Sequence, residues 1–228
     1  MHNNKDPKIN RFKQLLQSVF GKITRRNLRK FLEENATEEK ICEIGARNCR
    51  YSDLFPNALS LDIEYHEEVR IVGDVHKLPL KDNSQPAVLC TEVLEHCYSP
   101  QDAIHEMHRV LTPGGKLILT TRFLFPIHFA PHDYFRFTKY GLEYLCRNFS
   151  HIRITEETTT METMAVLFQR LALQTRCLFK IPIINVLFLL TAKMYEHLQW
   201  LIRKEYCDFK TKEEKSIMSS GYYVIAIK

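Results

Sequence analysis

The stretch that decides the fold is residues 40–62, KICEIGARNCRYSDLFPNALSLD, in which two short apolar segments each end at a polar or glycine turn. Residues 40–44 predict a strand that closes on Gly45, and residues 58–61 predict a second strand that ends at Asp62. A strand, a helix and a strand at this spacing are typical of the start of a parallel sheet. In open parallel sheets, ligands bind at the carboxyl ends of the strands.

The rest of the chain continues the alternation of strands and helices. Further strands are predicted over residues 69–72, 87–91, 116–121, 151–157 and 222–227. Helices are predicted over residues 9–20, 24–34, 101–111 and 138–148. The Pro-Gly-Gly at residues 113–115 is expected to end the third helix, because glycine accepts the left-handed conformation of a helix cap.

Length and composition indicate one folded domain with a small appendage. The chain has 228 residues, of which 45% are hydrophobic and 26% charged. Its seven cysteines are scattered without a Cys-x-x-Cys pair, and nothing at the start of the sequence resembles a signal peptide. We therefore expect reduced, buried cysteines in a cytoplasmic protein, and no metal site.

Positive charge is concentrated near the N terminus. The net charge is +5, yet residues 1–30 hold nine Lys or Arg against one acid, Asp6, so the remainder is slightly acidic. This distribution argues against a core domain that follows a phosphate backbone, and thus against a nucleic-acid substrate. Three interpretations of the basic segment stay open: contact with an anionic membrane, contact with RNA, or a solvated pair of helices.

An apolar segment separates the last two predicted strands. Its most hydrophobic part, residues 181–192, is too short to span a bilayer and contains Pro182 and Asn185. Buried cap helices and an interfacial membrane helix both fit this composition, the second because basic residues flank the apolar run. We divide the chain into basic N-terminal helices (1–34), a core (35–160), an apolar helical insertion (161–218) and a closing strand of the core (219–228).

Several motifs together resemble the class I S-adenosylmethionine-dependent methyltransferases, in particular the type 11 group. The matching residues are Leu94-Glu95-His96, the Glu-x-x-Arg-Val-Leu of residues 106–111, Pro113-Gly114-Gly115, His128, residues 133–138 and Gly141-Leu142. The resemblance covers about residues 28–157 and resumes at 221. It implies an α/β, Rossmann-like, seven-stranded and mostly parallel sheet with an antiparallel last strand and a helical insertion before the final strand.

The resemblance also implies S-adenosylmethionine as cofactor, held by residues at the strand ends. Asp62 is expected to accept both ribose hydroxyls, since it ends the second strand. Asp74 is expected to meet the adenine amine while Val75 packs on the ring. The full expected set is Glu43, Gly45, Arg47, Asp62, Ile63, Asp74, Val75, Thr91 and Glu92.

The glycine turn departs from the pattern of the family. Where Gly-x-Gly-x-Gly is usual, this chain has Gly45, Arg47 and Cys49. Arg47 either crowds the turn or reaches the carboxylate of the cofactor. The two resulting hypotheses are a working pocket and an inactive, partner-binding relative. A nicotinamide-dependent dehydrogenase is excluded, because its fingerprint needs glycine at Arg47 and Arg50.

Candidate catalytic residues follow the fourth and fifth strands. They are His96, His128, His132 and Asp133, which could orient or deprotonate an acceptor. For His96 the sequence favours a structural hydrogen-bonding role over a catalytic one. The expected acceptor is a small molecule, a glycan or a lipid-linked compound, with RNA as the alternative. Peripheral membrane contact is expected through residues 1–30 or 165–204.

Overall fold

The computed structural model describes residues 21–47, 51–175, 182–206 and 213–228. The helices are Ile23–Glu33 (α1), Pro100–Val110 (α2), Lys139–Leu145 (α3), Thr160–Gln174 (α4) and Pro182–His197 (α5), with short 3-10 helices at Leu94–His96 and Gln199–Leu201. The strands are Ile41–Ile44 (β1), Ala58–Asp62 (β2), Ile71–Val72 (β3), Gln85–Thr91 (β4), Leu111–Arg122 (β5), His151–Glu156 (β6), Glu205–Tyr206 (β7), Glu213–Glu214 (β8) and Gly221–Ile227 (β9). The helix expected over residues 9–20 lies outside the described residues.

Seven strands form one sheet in the order β3-β2-β1-β4-β5-β9-β6. The strands β1 to β5 pair in parallel, whereas β9 is antiparallel to both β5 and β6. The expected Rossmann-like, mostly parallel sheet with an antiparallel last strand is therefore confirmed. The strand order reverses between β1 and β4, which is the usual ligand position in such sheets.

Apolar periodicity explains how the core assembles around this sheet. The central residues of β4, 87–90, are fully buried, as expected for a parallel strand covered on both faces. The apolar stripe of α2 packs into the same core cluster through Ala103, Ile104, Met107 and Val110. Ring stacking between Phe31 of α1 and Tyr223 of β9, with centroids 4.4 Å apart, anchors the end of α1.

The third helix ends within one residue of its predicted position, but the predicted glycine cap is wrong. Helix α2 ends at Val110, Leu111 is already extended, and the Pro-Gly-Gly lies inside β5. The pairing of β5 with β4 jumps from Leu111 opposite Gln85 to Lys116 opposite Ala87, so the segment between them bulges out of register. The left-handed conformation of Gly114 (φ +77°) serves this bulge.

Two other predicted elements are shorter in the structure than the sequence indicates. The connection from β1 to β2 was expected to be helical, but its described part consists of turns in which Leu54 and Phe55 donate to the carbonyl of Tyr51. Strand β3 comprises two residues rather than the predicted four. It is the edge strand of the sheet, and edge strands are commonly short.

The chain divides into two compact units. One contains Lys30–Glu157 and Ser220–Lys228, and the other contains Thr158–Ser219 with the chain up to Arg29. Within the second unit, Thr159 and Glu162 form a reciprocal capping box at the start of α4. Helices α4 and α5 pack through Phe168, whose ring stacks on Tyr195 at 5.6 Å. Among the described helices, none has the length and apolarity needed to cross a membrane.

The described cysteines are buried thiols. Cys42, Cys90, Cys97 and Cys146 are free and enclosed by the core. Burial raises the pKa of Cys42, Cys97 and Cys146 to about 12 and raises that of Cys90 as well. Their sulfurs are therefore protonated, unreactive core groups. The other cysteines of the sequence lie outside the described residues.

Candidate active site

The register of the sheet brings the expected cofactor residues into one row. Ile44 of β1 pairs with the next-to-last residue of both β2 and β4. The residues that follow those positions, Gly45, Asp62 and Thr91, therefore lie side by side at the carboxyl edge. Asp62 pairs in turn with the last residue of β3, two positions before Asp74. The row contains the switch point between β1 and β4, where a nucleotide-like ligand fits.

Gly45 is required by its surroundings. Its φ is +78°, and a Cβ built on it would lie 2.4 Å from Cγ2 of Val93. Its N–H donates to the carbonyl of Leu61 at 2.9 Å, which fixes the turn against β2. A glycine is the only residue that meets both the backbone conformation and the close approach.

Arg47 turns toward the acidic loop after β2. Its Nη1 lies 3.8 Å from Oε2 of Glu64, and the two side chains are 51% and 61% exposed. Such a long, exposed ion pair contributes little free energy, so the guanidinium is free to change partner at low cost. Cys49, the other departure from the glycine pattern, lies outside the described residues.

Asp62 combines burial with acceptor capacity. The residue is 9% exposed, and its Oδ1 accepts the N–H of Glu64 at 3.1 Å. A carboxylate offers about four acceptor positions, so this single bond leaves room for two hydroxyl groups. Ile63, the next residue, is 67% exposed and offers an apolar surface beside it.

His76 holds the carboxylate of Asp74. Oδ1 of Asp74 accepts from the backbone N–H of His76 at 2.9 Å and lies 2.6 Å from its Nδ1. Nε2 of His76 accepts the N–H of Ser99 at 3.3 Å, so the ring proton must be on Nδ1. Burial opposes ionisation of Asp74, but these hydrogen bonds outweigh it and lower its pKa. Val75, between the two, is buried.

The end of β4 is fixed by a buried arginine. Glu92, directly after Thr91, has a left-handed backbone (φ +55°) and donates its N–H to the carbonyl of Thr120 at 3.0 Å. Its carboxylate pairs with Arg122, which is 3% exposed and also binds Glu157 at 2.6 Å. Glu92 is thus already engaged by the protein. Glu43, inside β1, is buried, and burial raises its pKa.

The sheet also gathers most of the predicted catalytic residues, beyond β4 and β5. Nδ1 of His96 lies 2.5 Å from the carbonyl oxygen of His132 and must carry a proton, because a carbonyl only accepts. The rings of His96 and His128 meet edge to face at 4.7 Å. The ring of His132 is exposed and turns instead toward the hydroxyl of Tyr134 at 3.1 Å. His132 therefore contributes its backbone to the cluster.

Asp133 contacts this cluster as an ionised group. Two hydrogen bonds of 2.7 Å from Arg136 to the two oxygens of Asp133 lower the pKa of that carboxyl to about 2. Oδ2 of Asp133 also accepts the backbone N–H of His128 at 2.8 Å and lies 3.5 Å from its Nδ1. Burial lowers the pKa of His128 to about 4, so its imidazole is neutral at pH 7.

Glu95 is the least expected member of the cluster. Its side chain is fully buried, and its Oε2 accepts the hydroxyl of Thr121 at 2.8 Å. Its Oε1 has no hydrogen-bond partner among the described residues and lies 3.9 Å from Nε2 of His128. Burial raises the pKa of this carboxyl to about 7.

Comparison with known proteins fits this geometry. Residues 35–119, which hold β1 to β4, α2 and most of β5, match the family model described as a methyltransferase domain, type 11. The match covers about a third of the chain and agrees with the motifs. The resemblance to S-adenosylmethionine-dependent methyltransferases, with that compound as cofactor, is thereby confirmed.

Individual relatives of the methyltransferase domain are more distant. A malonyl-[acyl-carrier protein] O-methyltransferase of Hahella chejuensis is 34% identical over 93 residues, which are 38% of this chain and 33% of that protein. An uncharacterized protein in transposon TN4556 of Streptomyces fradiae is 44% identical over 48 residues, which are 21% of this chain and 14% of that protein. The chain thus spans a third or less of the length of these relatives.

The fold match extends further along the chain. A solved structure from Thermotoga maritima, a SAM-dependent methyltransferase named as a possible histamine N-methyltransferase, aligns with a TM-score of 0.54. The alignment covers 96% of both chains at 15% identity. At 15% identity this match shows similarity of the fold alone.

The sequence analysis predicts no role for three residues of the site. Glu95 stands within the Leu94-Glu95-His96 motif, His76 stands two residues after Asp74, and Arg122 stands at the end of an apolar strand. A charged residue that ends a buried strand is a usable signal for Arg122, since a buried charge needs a partner. His76 follows Asp74 at the spacing of an Asx turn, which also was readable.

Proposed function

We propose that the protein is an S-adenosylmethionine-dependent methyltransferase. Its acceptor is a small molecule, a glycan, or a compound linked to a carrier or a lipid. The observation that carries this proposal is the row of Gly45, Asp62 and Thr91 across three adjacent strand ends, with Asp74 beside it. Such a row offers acceptors for ribose hydroxyls and for an adenine amine along one groove.

Each residue of the row has a distinct role in cofactor binding. Asp62 accepts the ribose hydroxyls, Asp74 accepts the adenine amine, and Val75 packs against the adenine ring. Gly45 allows the backbone to approach the methionine part of the cofactor. Arg47 can leave its weak ion pair with Glu64 and bind the carboxylate of the cofactor through a bidentate hydrogen bond. This contact supports a working pocket although two glycines of the family pattern are missing.

S-adenosylmethionine would supply an electrophilic methyl group for an in-line displacement. A lone pair of the acceptor would take the methyl carbon, and the sulfur would keep the electron pair of the broken bond and leave as S-adenosylhomocysteine. A neutral acceptor must also lose a proton. The neutral imidazole of His128 can accept a hydrogen bond from an acceptor O–H or N–H, and Asp133 holds the loop that carries it.

Calorimetric titration with S-adenosylmethionine tests the cofactor site. We expect Asp62→Ala to weaken binding at least about tenfold, because a hydrogen bond to a charged group contributes about 1.5–3 kcal/mol. Asp82→Ala is the matched control, since Asp82 is an exposed aspartate before β4, at the opposite edge of the sheet. Absence of binding by the wild-type chain at millimolar cofactor supports the inactive, partner-binding alternative instead.

The acceptor is best sought by following S-adenosylhomocysteine formation across acceptor classes. The relative that methylates a malonyl group on acyl-carrier protein makes carrier-linked carboxylates one class to include. Glycans, lipid-linked sugars and phenols are the others. RNA belongs in the panel as the competing class. Its supporting feature is the basic segment 1–30, of which residues 1–20 lie outside the described residues.

We further propose that the second unit contacts a membrane surface peripherally. Helix α5 leaves Ile183, Leu187, Leu190 and Met194 exposed, and their spacing of four, three and four residues puts them on one face. Trp200 follows and is 72% exposed. An exposed apolar face that ends in tryptophan is typical of helices that lie in the headgroup region.

Charges around this face favour an anionic surface. Exposed cations are present at Lys193, Arg203 and Lys204. The carboxylate of Glu196 is 10% exposed and pairs with Arg26 and Lys193, so it adds little opposing field. Interaction with anionic lipids then adds to the burial of the apolar face.

Vesicle flotation tests the membrane contact. We expect the chain to float with phosphatidylserine-containing vesicles and less with pure phosphatidylcholine vesicles. The double variant Leu187→Asp with Leu190→Asp should abolish flotation, whereas Tyr144→Asp on α3, an equally exposed position in the other unit, should not. Equal flotation of the double variant and the wild type would contradict the proposal.

A further inference from the structure

Three groups that can bind a metal converge beyond the ends of β4 and β5. Glu95 and His96 lie in the 3-10 helix that follows β4, and His128 lies in the loop after β5. One ligand atom from each of the three lies within 4.8 Å of the other two. The sequence did not suggest this site, because His128 lies 32 positions after His96 and neither shows metal-ligand spacing.

The buried carboxyl of Glu95 is an independent observation that points to a ligand at this place. Its side chain is fully buried, and one oxygen, Oε2, is satisfied by Thr121. The other oxygen, Oε1, faces His128 at 3.9 Å and has no hydrogen-bond partner among the described residues. An unpaired buried carboxylate oxygen is costly, and a bound cation would satisfy it.

The histidines have the surroundings of metal ligands, one fully and one in part. Nδ1 of His96 donates to the carbonyl of His132 at 2.5 Å. Nδ1 of His128 lies 3.5 Å from Oδ2 of Asp133 and makes no hydrogen bond among the described residues. A histidine that binds a metal commonly directs its other ring nitrogen to a carbonyl or a carboxylate, which fixes the tautomer. In both rings Nε2 is then the nitrogen left to coordinate.

We propose that Glu95 Oε1, His96 Nε2 and His128 Nε2 bind one divalent transition-metal ion. Two imidazoles and one carboxylate favour Zn²⁺, Mn²⁺, Fe²⁺ or Co²⁺ over Mg²⁺, which prefers oxygen ligands. Bonds of about 2.1 Å require donor atoms about 3–3.5 Å apart, so the side chains close by roughly 1 Å on binding. The cation Arg136 does not oppose the ion strongly, because Asp133 neutralises it through two hydrogen bonds.

The position of the ion suggests a role in binding the acceptor. Three protein ligands leave coordination positions open, as in metal sites that act on a substrate. A hydroxyl that coordinates the ion would lose its proton to solvent more readily, and its oxygen would then be the methyl acceptor. In the metal-bound chain His128 is a ligand, so the ion replaces it as the group that activates the acceptor. This role rests on the proposed methyltransferase function and assigns it an oxygen acceptor, whereas metal binding itself does not depend on it.

Titration with Co²⁺ tests the site directly. The full chain is treated with a chelator, freed of it, and titrated with Co²⁺ while the visible absorption and the heat are recorded. We expect one equivalent to bind with the absorption of nitrogen and oxygen ligands. His128→Ala and Glu95→Gln should each weaken binding at least tenfold, and His105→Ala, an exposed histidine of α2, should not.

The remaining measurements separate the possible failures. Glu95→Gln keeps an acceptor for Thr121, and thermal unfolding followed by circular dichroism verifies that each variant is folded. Absence of Co²⁺ binding in the wild type, or equal binding in both site variants, overturns the metal site. Binding of S-adenosylmethionine is measured in parallel. A chain that binds the cofactor but not Co²⁺ refutes only the metal site, and one that binds Co²⁺ alone refutes only the methyltransferase function.

Discussion

Replacing Gly45 with alanine should destabilise the protein through two separable effects. The first is the backbone: at φ +78°, a residue with a Cβ costs about 1–2 kcal/mol relative to glycine. The second is the contact: a Cβ at 2.4 Å from Cγ2 of Val93 is about 1 Å too close, and relieving such overpacking costs about 1–3 kcal/mol. The single variant should therefore lose about 2–5 kcal/mol of its free energy of unfolding.

The neighbouring side chain provides the control. Val93→Ala removes Cγ2 and leaves the Cβ of residue 93 at 3.8 Å, an ordinary contact distance. In the double variant the contact cost disappears while the backbone cost stays, so the two changes should be non-additive by about 1–3 kcal/mol. Urea unfolding of the wild type, both single variants and the double variant measures this coupling.

The same four proteins also report on the cofactor site. Titration with S-adenosylmethionine should show that the double variant recovers part of the affinity lost by the single glycine variant, because the turn returns toward its native position. Strictly additive free energies of unfolding would refute the reasoning, since they would mean that Gly45 is not required by its contact with Val93.

Three further outcomes are expected. His76→Phe keeps a ring against Tyr98 but removes the side-chain hydrogen bonds to Asp74 and Ser99, so calorimetry should show cofactor affinity reduced several-fold, with thermal stability lowered by about 1–3 kcal/mol. In the metal-free chain, burial raises the pKa of Glu95 from 4.5 to about 7, so the folded state binds more protons than the unfolded state in this interval and stability falls as the pH rises through it. Glu95→Gln should remove that slope and be more stable than the wild type at pH 8 by on the order of 3 kcal/mol, as urea unfolding at pH 5 and pH 8 will measure. The pKa of Asp133 is instead lowered from 3.8 to about 2, so its contribution is present above pH 4 and lost toward pH 2; Asp133→Asn should cost about 2 kcal/mol at pH 7, and a difference from wild type that did not shrink on acidification would contradict this.

Local patterns were sufficient to predict the parallel strands β1 to β4. Each of them is a short apolar run that ends at, or is followed by, a glycine or an acid, and periodicity alone located α1 and α2. These signals work because side-chain burial on a helix or strand repeats over a few residues. The family resemblance supplied the antiparallel last strand.

Patterns of the same kind misled at the end of α2. Pro113-Gly114-Gly115 is a common helix stop, yet the helix ends three residues before the proline and β5 begins at once. The pairing partners of Leu111 and Lys116 on β4 decide the outcome, and strand pairing is a non-local interaction. Local propensity yields where tertiary hydrogen bonding is stronger.

The sequence by itself determined which residues lie at the functional ends of the strands: Gly45, Asp62, Asp74 and Thr91 are readable because each lies at or just beyond the end of its own strand. Only the tertiary structure decided which distant groups meet, namely Glu95 with His128, His96 with His132, and Arg122 with Glu157. These partners lie on different strands or loops, and the sheet brings them together through hydrogen bonds between backbones. Backbone hydrogen bonds between strands are the same whatever side chains the strands carry. The sequence therefore does not indicate which side chains the paired strands bring into contact.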